Sequence, residues 1–286
     1  MTSVRTLLNE YDVRPRKSLG QSFLNDGQMI RRIAVAADPQ QGETIVEIGA
    51  GLGLLTEELA RKAGRVIALE IDPRLVRALK DRFANCPTVE IVPGDVLDYD
   101  FSKTNPGGRI KVVGNIPYHI STPILFRLLE YRRSIASMLL MFQKELAERI
   151  MAPPGKKDYG IPSVIVACYA SVSRALTVPA GCFYPEPDVV STVLQFVMYE
   201  DLASSGDHVH LFATVRAAFA QRRKTLRNNL RAAGVAEEAL EWIFRESRID
   251  GARRAETLSV GEFKILSETI NRSDRIEKFL DKGQGI

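Results

Sequence analysis

Residues 44–54 run Thr44-Ile45-Val46-Glu47-Ile48-Gly49-Ala50-Gly51-Leu52-Gly53-Leu54. A β-branched apolar run of strand type ends in three glycines at alternate positions, and a helical pattern follows at once. Glycines at a strand end permit a tight turn that aims backbone N–H groups at a ligand just before a helix begins. Outward from this turn the same alternation repeats. Residues 45–48, 66–69, 89–92, 110–113 and 137–142 read as strands, and residues 54–62 and 74–83 read as helices between the first three. Asp72-Pro73 opens the second helix as a cap and first-turn proline. Strands alternating with helices predict an α/β fold, a parallel sheet with helices on both faces.

Composition bounds the rest. The chain has 286 residues, 45% hydrophobic and 26% charged, the proportions of a folded globular protein rather than a disordered or fibrous one. A length of about two domains at ~150 residues each suggests one large domain with an appendage. Residues 151–162 form a polar loop with Pro153-Pro154-Gly155, and residues 163–170 are apolar, open between helix and strand. Ser204-Ser205-Gly206 marks a linker, after which residues 211–232, 237–247 and 260–271 are all helical in pattern. The expected division is a Rossmann-like domain over residues 1–203 with a basic N-terminal arm, and a small all-helical domain over 204–286. Cys86, Cys168 and Cys182 are odd in number and form no C-x-x-C pair, so neither a disulfide framework nor a metal site is expected. Residues 1–10 lack an apolar core and no run approaches the ~18 apolar residues of a membrane span, so a cytoplasmic protein with no membrane partner is expected.

The glycine spacing discriminates between cofactors. A dinucleotide fingerprint needs G-x-G-x-x-G, yet Leu54 stands where its third glycine would be. The observed G-x-G-x-G, preceded by Glu47, resembles motif I of the S-adenosylmethionine-dependent methyltransferases. A carboxylate at the end of the second strand can accept both ribose hydroxyls of either cofactor type, and Glu70 in Ala68-Leu69-Glu70-Ile71-Asp72 sits there. Gly94-Asp95-Val96 follows the third strand, where the resemblance implies that Asp95 accepts from the adenine amino group.

The fourth strand runs into Gly114-Asn115-Ile116-Pro117-Tyr118. An exocyclic adenine nitrogen is a poor nucleophile because its lone pair is delocalised into the ring. The Asn115 side-chain oxygen and the Ile116 carbonyl, both accepting from that amine, would favour a pyramidal nitrogen without removing a proton. Pro117 stiffens the turn and Tyr118 offers a ring for the base to stack on. The tetrapeptide is similar to motif IV of the adenine-N6 methyltransferases. Its continuation His119-Ile120-Ser121-Thr122-Pro123-Ile124-Leu125, with Gly20-Gln21-Ser22-Phe23-Leu24 and Phe183-Tyr184-Pro185-Glu186-Pro187-Asp188-Val189-Val190-Ser191, resembles the ribosomal-RNA adenine-N6 dimethyltransferase family over residues 14 to about 231.

That resemblance implies a class I S-adenosylmethionine-dependent methyltransferase domain with S-adenosyl-L-methionine as cofactor. It implies cofactor contacts from Ser22, Leu24, Gly49, Gly51, Gly53, Glu70, Ile71, Asp95, Val96 and Asn115. The catalytic set it implies is Asn115, Ile116, Pro117 and Tyr118, with Phe183 stacking across the target base from Tyr118. The family's usual G-Q-N-F-L reads Gly20-Gln21-Ser22-Phe23-Leu24 here, so a contact normally made by asparagine falls to the shorter Ser22 hydroxyl. His119 is read as structural or substrate-proximal, since the mechanism needs no general base.

The formal net charge of +4 conceals an uneven distribution. Arg216, Arg222, Arg223, Lys224, Arg227 and Arg231 fall within residues 216–231 with no acidic residue among them. On one continuous helix Arg216, Arg223, Arg227 and Arg231 would share a side, next to an apolar side of Phe212, Phe219, Leu226 and Leu230. Residues 221–230 resemble the C-terminal motif of the family's small-subunit members. A second group, Arg14, Arg16, Lys17, Arg31 and Arg32, flanks the glycine turn. Arg16, Lys17, Arg222, Arg223, Lys224 and Arg227 are therefore expected to track RNA phosphates.

The expected activity is N6,N6-dimethylation of two adjacent adenosines in a hairpin loop near the 3′ end of 16S rRNA. The expected partner is the immature small ribosomal subunit, met by a monomer that holds no metal. Two alternatives are a 23S rRNA adenine-N6 methyltransferase of the macrolide-resistance type and a catalytically silent RNA-binding assembly or transcription factor.

Overall fold

The structure is a computed structural model that describes residues 3–16, 19–200 and 208–272. The strands are β1 (Phe23–Leu24), β2 (Thr44–Ile48), β3 (Arg65–Glu70), β4 (Val89–Pro93), β5 (Ile110–Asn115), β6 (Ile135–Gln143), β7 (Ala170–Val178), β8 (Phe183–Tyr184) and β9 (Ser191–Met198). The helices are α1 (Val4–Glu10), α2 (Gly27–Ala37), α3 (Leu54–Ala60), α4 (Pro73–Arg82), α5 (Ser121–Glu130), α6 (Lys144–Met151), α7 (Ile161–Tyr169), α8 (His208–Ala218), α9 (Leu226–Ala232), α10 (Glu237–Ser247) and α11 (Val260–Asn271). The apolar segment at 163–170, open between two readings, is helical almost to its end.

A seven-stranded sheet has the order β4-β3-β2-β5-β6-β9-β7. Strands β2 to β6 pair parallel with their neighbours, as the alternation predicts, whereas β9 pairs antiparallel with β6. Every residue of β2 is buried, as befits a central parallel strand covered on both faces. Strand order reverses between β2 and β5, which leaves a crevice at their carboxyl ends. Ile48 lies opposite Gly114 in that register, so the glycine turn and Asn115 emerge side by side. A two-stranded ladder of β1 and β8 sets Phe23 opposite Tyr184 and Leu24 opposite Phe183.

The chain divides into two compact units. One comprises the chain through Ala147 with Val172–Met198; the other takes Glu148–Ser171 and the chain from Tyr199 onward. The boundary expected at residue 203, with its linker, lies outside the described residues. Residues 148–171, which the pattern grouped with 1–203, belong to the second unit because their apolar side chains find partners there. Tyr159 packs edge-on to Phe219 and donates its hydroxyl to the Leu258 carbonyl at 3.0 Å.

The single helix expected over 211–232 is broken. α8 ends at Ala218 and α9 begins at Leu226, with Thr225 as its cap accepting from the Asn228 N–H. Asn229, 2% exposed, donates through Nδ2 to the Ala218 and Gln221 carbonyls, satisfying the open end of α8. Asparagine and threonine thus make competing local bonds that terminate a helix which apolar periodicity alone would continue.

Candidate active site

The crevice at the carboxyl ends of β2, β3 and β5 opens as a cleft of about 580 Å³ lined by Ser22, Gly49, Gly51, Glu70, Ile71, and Asn115 to Tyr118. Two smaller pockets adjoin it. One, about 350 Å³, is lined by Asp95, Val96, Ile71 and Pro117. The other is lined by Leu24, Glu47, Gly49, Gly51 and Asn115. The expected cofactor residues therefore converge, apart from Gly53.

The glycine turn is built as its sequence requires. Gly51 has φ +60° and a side chain there would press on the Phe23 ring at 3.2 Å. Gly53, with φ +75°, caps α3, and an added Cβ would fall 2.5 Å from the Phe83 ring. Gly53 does not line the cleft; it lets α3 begin against α4. The Gly49 N–H donates to the Leu69 carbonyl at 2.9 Å, which closes the turn over β3.

Glu70, 5% exposed, anchors the cleft floor. Its Oε2 accepts from the Gly51 N–H at 2.8 Å, and Oε1 accepts from Ile71 and Asp72 N–H at 3.0 and 2.9 Å. Burial pushes its carboxyl above the usual range, with those three donors opposing. Ile71 beside it is half exposed, an apolar face next to a carboxylate. Asp95 turns one oxygen to the Leu97 N–H at 2.9 Å.

Glu47 is 3% exposed, and its Oε2 has no hydrogen-bond partner among the described residues. Burial pushes its carboxyl up to about 8, the Glu70 carboxylate adding in the same direction. A raised carboxyl pKa means that the folded protein keeps a proton which the unfolded chain releases. Stability contributed by that proton is full below about pH 4.5 and is lost as pH rises through about 8. Glu47→Gln is expected to flatten this loss, raising stability at alkaline pH by on the order of 1–3 kcal/mol, with little change in acid. Thermal unfolding against pH checks it; parallel curves for the two proteins would contradict it.

Around Asn115 the geometry is specific. Its Nδ2 donates to the Ser22 carbonyl at 3.0 Å, which leaves Oδ1 as an acceptor in the cleft. The Ser22 hydroxyl donates to the Pro185 carbonyl at 2.6 Å. The position that departs from the family pattern thus ties the 20–24 loop to the segment after β8. Ser121 at the start of α5 donates to the Pro117 and Tyr118 carbonyls at 3.1 and 2.9 Å, fixing the turn. The Tyr118 hydroxyl bonds Ser191 Oγ at 2.6 Å, and burial pushes its pKa up, so the phenol stays neutral. His119 is exposed and its ring lies where a side chain on Gly20 would go.

Phe183 is not among the lining residues. It is 4% exposed, in the core cluster with Phe23 and Leu24. The supporting serines 121 and 191 carry no periodic signal in the sequence, and their partners lie on other elements.

The basic residues divide into two kinds. Arg16 is exposed, and so are Arg222, Arg223 and Lys224 in the turn between α8 and α9. Arg222 donates to the Lys157 carbonyl. Arg227 pairs with Glu237 and stacks over Phe244 at 5.4 Å, and Arg231 pairs with the same carboxylate at 2.7 Å. The acidic partner lies in α10, beyond the basic segment itself. Lys17 lies outside the described residues. Among the described residues no group of His, Cys, Asp and Glu is arranged to hold a metal, and no helix is long and apolar enough to cross a membrane.

Known proteins resemble this chain in sequence and fold. The family model described as Ribosomal RNA adenine dimethylase matches residues 13–272. Ribosomal RNA small subunit methyltransferase A of Syntrophus aciditrophicus is 44% identical over 280 residues, covering 96% of this chain and all of that protein. Among solved structures, a dimethyladenosine transferase from Plasmodium falciparum superposes with a TM-score of 0.75 at 26% identity, over 87% of this chain and 97% of that one. The 23S rRNA methyltransferase ErmE superposes with a TM-score of 0.63 at 25% identity, over 87% of this chain and all of that one.

Proposed function

The chain belongs to the ribosomal RNA adenine dimethylase family, and from that premise we infer that it dimethylates adenosine N6 in small-subunit ribosomal RNA with S-adenosyl-L-methionine as methyl donor. The small-subunit reading is favoured over the large-subunit one by 44% identity to a small-subunit enzyme against 25% to ErmE. The family resemblance implies two adjacent adenosines in a hairpin loop near the 3′ end as the target, and a loop suits it because an unpaired base is cheap to splay into a pocket.

The residues present fit the cofactor. Glu70 offers carboxylate oxygens for ribose hydroxyls, Ile71 and Val96 offer apolar faces for an adenine ring, and Asp95 can accept from its amino group. Glu47 holds an unpartnered, buried oxygen beside the glycine turn, suited to an ammonium group. When bound, S-adenosylmethionine supplies an electrophilic methyl group. The chain's own part is to position and polarise the amine. One observation carries this reading: Asn115 lines the cleft with its Nδ2 spent on the Ser22 carbonyl, which leaves Oδ1 to accept a hydrogen bond. There Oδ1 and the Ile116 carbonyl accept from the target amine, concentrating its lone pair on nitrogen. Pro117 and Ser121 hold that turn rigid, and Tyr118, fixed by Ser191, provides a stacking face.

Transfer of labelled methyl groups to small subunits from cells lacking this protein tests the activity. Two methyls per target adenosine are expected; labelling of naked 23S rRNA instead would overturn it. Arg223 and Lys224, exposed in their turn, are assigned to RNA phosphates. The double variant Arg223→Ala with Lys224→Ala is expected to weaken binding of a small-subunit rRNA fragment. It should also reduce the slope of log K against log salt by about 1–2, near 0.9 for each phosphate that is no longer neutralised. Arg227, already paired with Glu237, should contribute less, and an equal slope change for Arg227→Ala would contradict that ranking.

A further inference from the structure

We infer that Gln21 is a positioning residue: it latches the cleft wall of residues 19–22 to the Asp72 carboxylate and so holds that wall against the cofactor. The inference rests on the reading of the cleft as a cofactor site. Gln21 lies in a stretch that the family resemblance singled out, yet neither the cofactor nor the adenine contacts derived above use its amide.

Gln21 acts at both ends of its side chain. Nε2 donates to Asp72 Oδ2 at 2.9 Å, across 51 residues of sequence, and Oε1 accepts from the Arg16 N–H at 2.8 Å. The Gln21 N–H returns to the Arg16 carbonyl at 3.3 Å, so Arg16 and Gln21 are joined in both directions. Leu19, Gly20, Gln21 and Ser22 line the cleft together with Glu70 and Ile71. The receiving carboxylate is built for the task. Asp72 is 1% exposed, caps α4 through the Arg74 N–H at 3.0 Å, and pairs with the Arg74 guanidinium at 2.6 Å. These donors hold its carboxyl down at about 2, so it is ionised throughout the range in which the protein works. Arg74 also donates to the Arg14 carbonyl at 3.2 Å, a second tie to the arm.

The Asp72 N–H is itself bonded to Glu70 Oε1 at 2.9 Å. A chain of bonds therefore runs from the carboxylate assigned to the ribose, through Asp72 and Gln21, to the backbone of Arg16. The other charged groups acting at this place are Arg74, Glu70 and Asp12, the last through its attraction for Arg74.

Calorimetric titration with S-adenosylhomocysteine tests the latch on the full chain. Gln21→Ala leaves the Asp72–Arg74 pair and the α4 cap in place. It is expected to weaken binding about tenfold, as for loss of one hydrogen bond to a charged group. The cofactor KM should rise by a similar factor with kcat and the melting temperature nearly unchanged. Gln21→Glu provides a readout that a merely structural role would not move. At about pH 8 its carboxylate repels Asp72 and binding should weaken relative to wild type. At about pH 5.5, as the new carboxyl gains a proton it can donate, the ratio should recover. Taking the ratio at each pH removes the contribution of Glu47. Unchanged binding by Gln21→Ala, or a Gln21→Glu ratio independent of pH, overturns the inference while the cofactor reading stands. Failure of the wild-type protein to bind overturns the cofactor reading and the latch with it.

Discussion

Asn115→Ala is expected to lower kcat for methyl transfer about 10²–10³-fold, the cost of deleting one preorganised polar group aimed at the reacting centre. The amide has two separable tasks. Its Nδ2 is spent on the Ser22 carbonyl, and that bond dictates which way Oδ1 faces. Removing the side chain deletes the acceptor for the amine and frees the carbonyl that oriented it. Asn115→Asp keeps an acceptor but places a carboxylate against the Ser22 carbonyl, so the orienting bond is lost. It should therefore fall well below wild type while exceeding Asn115→Ala. Single-turnover transfer from labelled cofactor separates chemistry from binding. The expected pattern is a loss in the transfer step that excess cofactor does not restore. Full restoration by excess cofactor would mean that Asn115 binds the donor and does not act on the amine.

Glu70→Ala is expected to reduce cofactor affinity at least about 100-fold, since a charge-assisted hydrogen bond contributes roughly 1.5–3 kcal/mol and the carboxylate is assigned two. The same variant should destabilise the protein. Three backbone N–H groups, of Gly51, Ile71 and Asp72, converge on this carboxylate in a site only 5% exposed. Stranding even one of them buried costs about 1–3 kcal/mol. Glu70→Gln distinguishes the two effects, because its amide oxygen can still satisfy one side of the turn. It should recover much of the stability and little of the affinity. Calorimetric titration with S-adenosylhomocysteine beside thermal unfolding reads both, and undiminished affinity in Glu70→Ala would remove this residue from the cofactor site.

The positions of Glu70 and Asn115 are legible in the sequence for the same reason. Each stands at the end of a strand whose β-branched run is unmistakable, and the glycines between them admit few backbone conformations. The bonds of the supporting residues are not legible. Both serines fall in stretches that carry the family resemblance, but Ser191 reaches Tyr118 from 73 positions away and Ser121 acts on backbone carbonyls. Phe183, the aromatic residue expected to stack on the target base, is 4% exposed and packs in the core cluster with Phe23 and Leu24, a placement that its neighbouring prolines do not reveal. The charge sum over residues 216–231 overstates the unpaired charge, because Glu237 lies six positions past its end and pairs with two arginines at once.

By itself the sequence determined the strands of the parallel core, the left-handed glycine turn and the carboxylate and amide at the strand ends. These depend on periodicity and backbone sterics over a few residues, which a single chain displays directly. Only the tertiary structure decided which polar atoms are shared. The antiparallel β9, the tie from Ser22 to Asn115 and the latch from Gln21 to Asp72 all join segments distant in sequence. Their bonds exist because strand register, set by burial of whole faces, brings unrelated residues within about 3 Å of one another, the reach of a hydrogen bond.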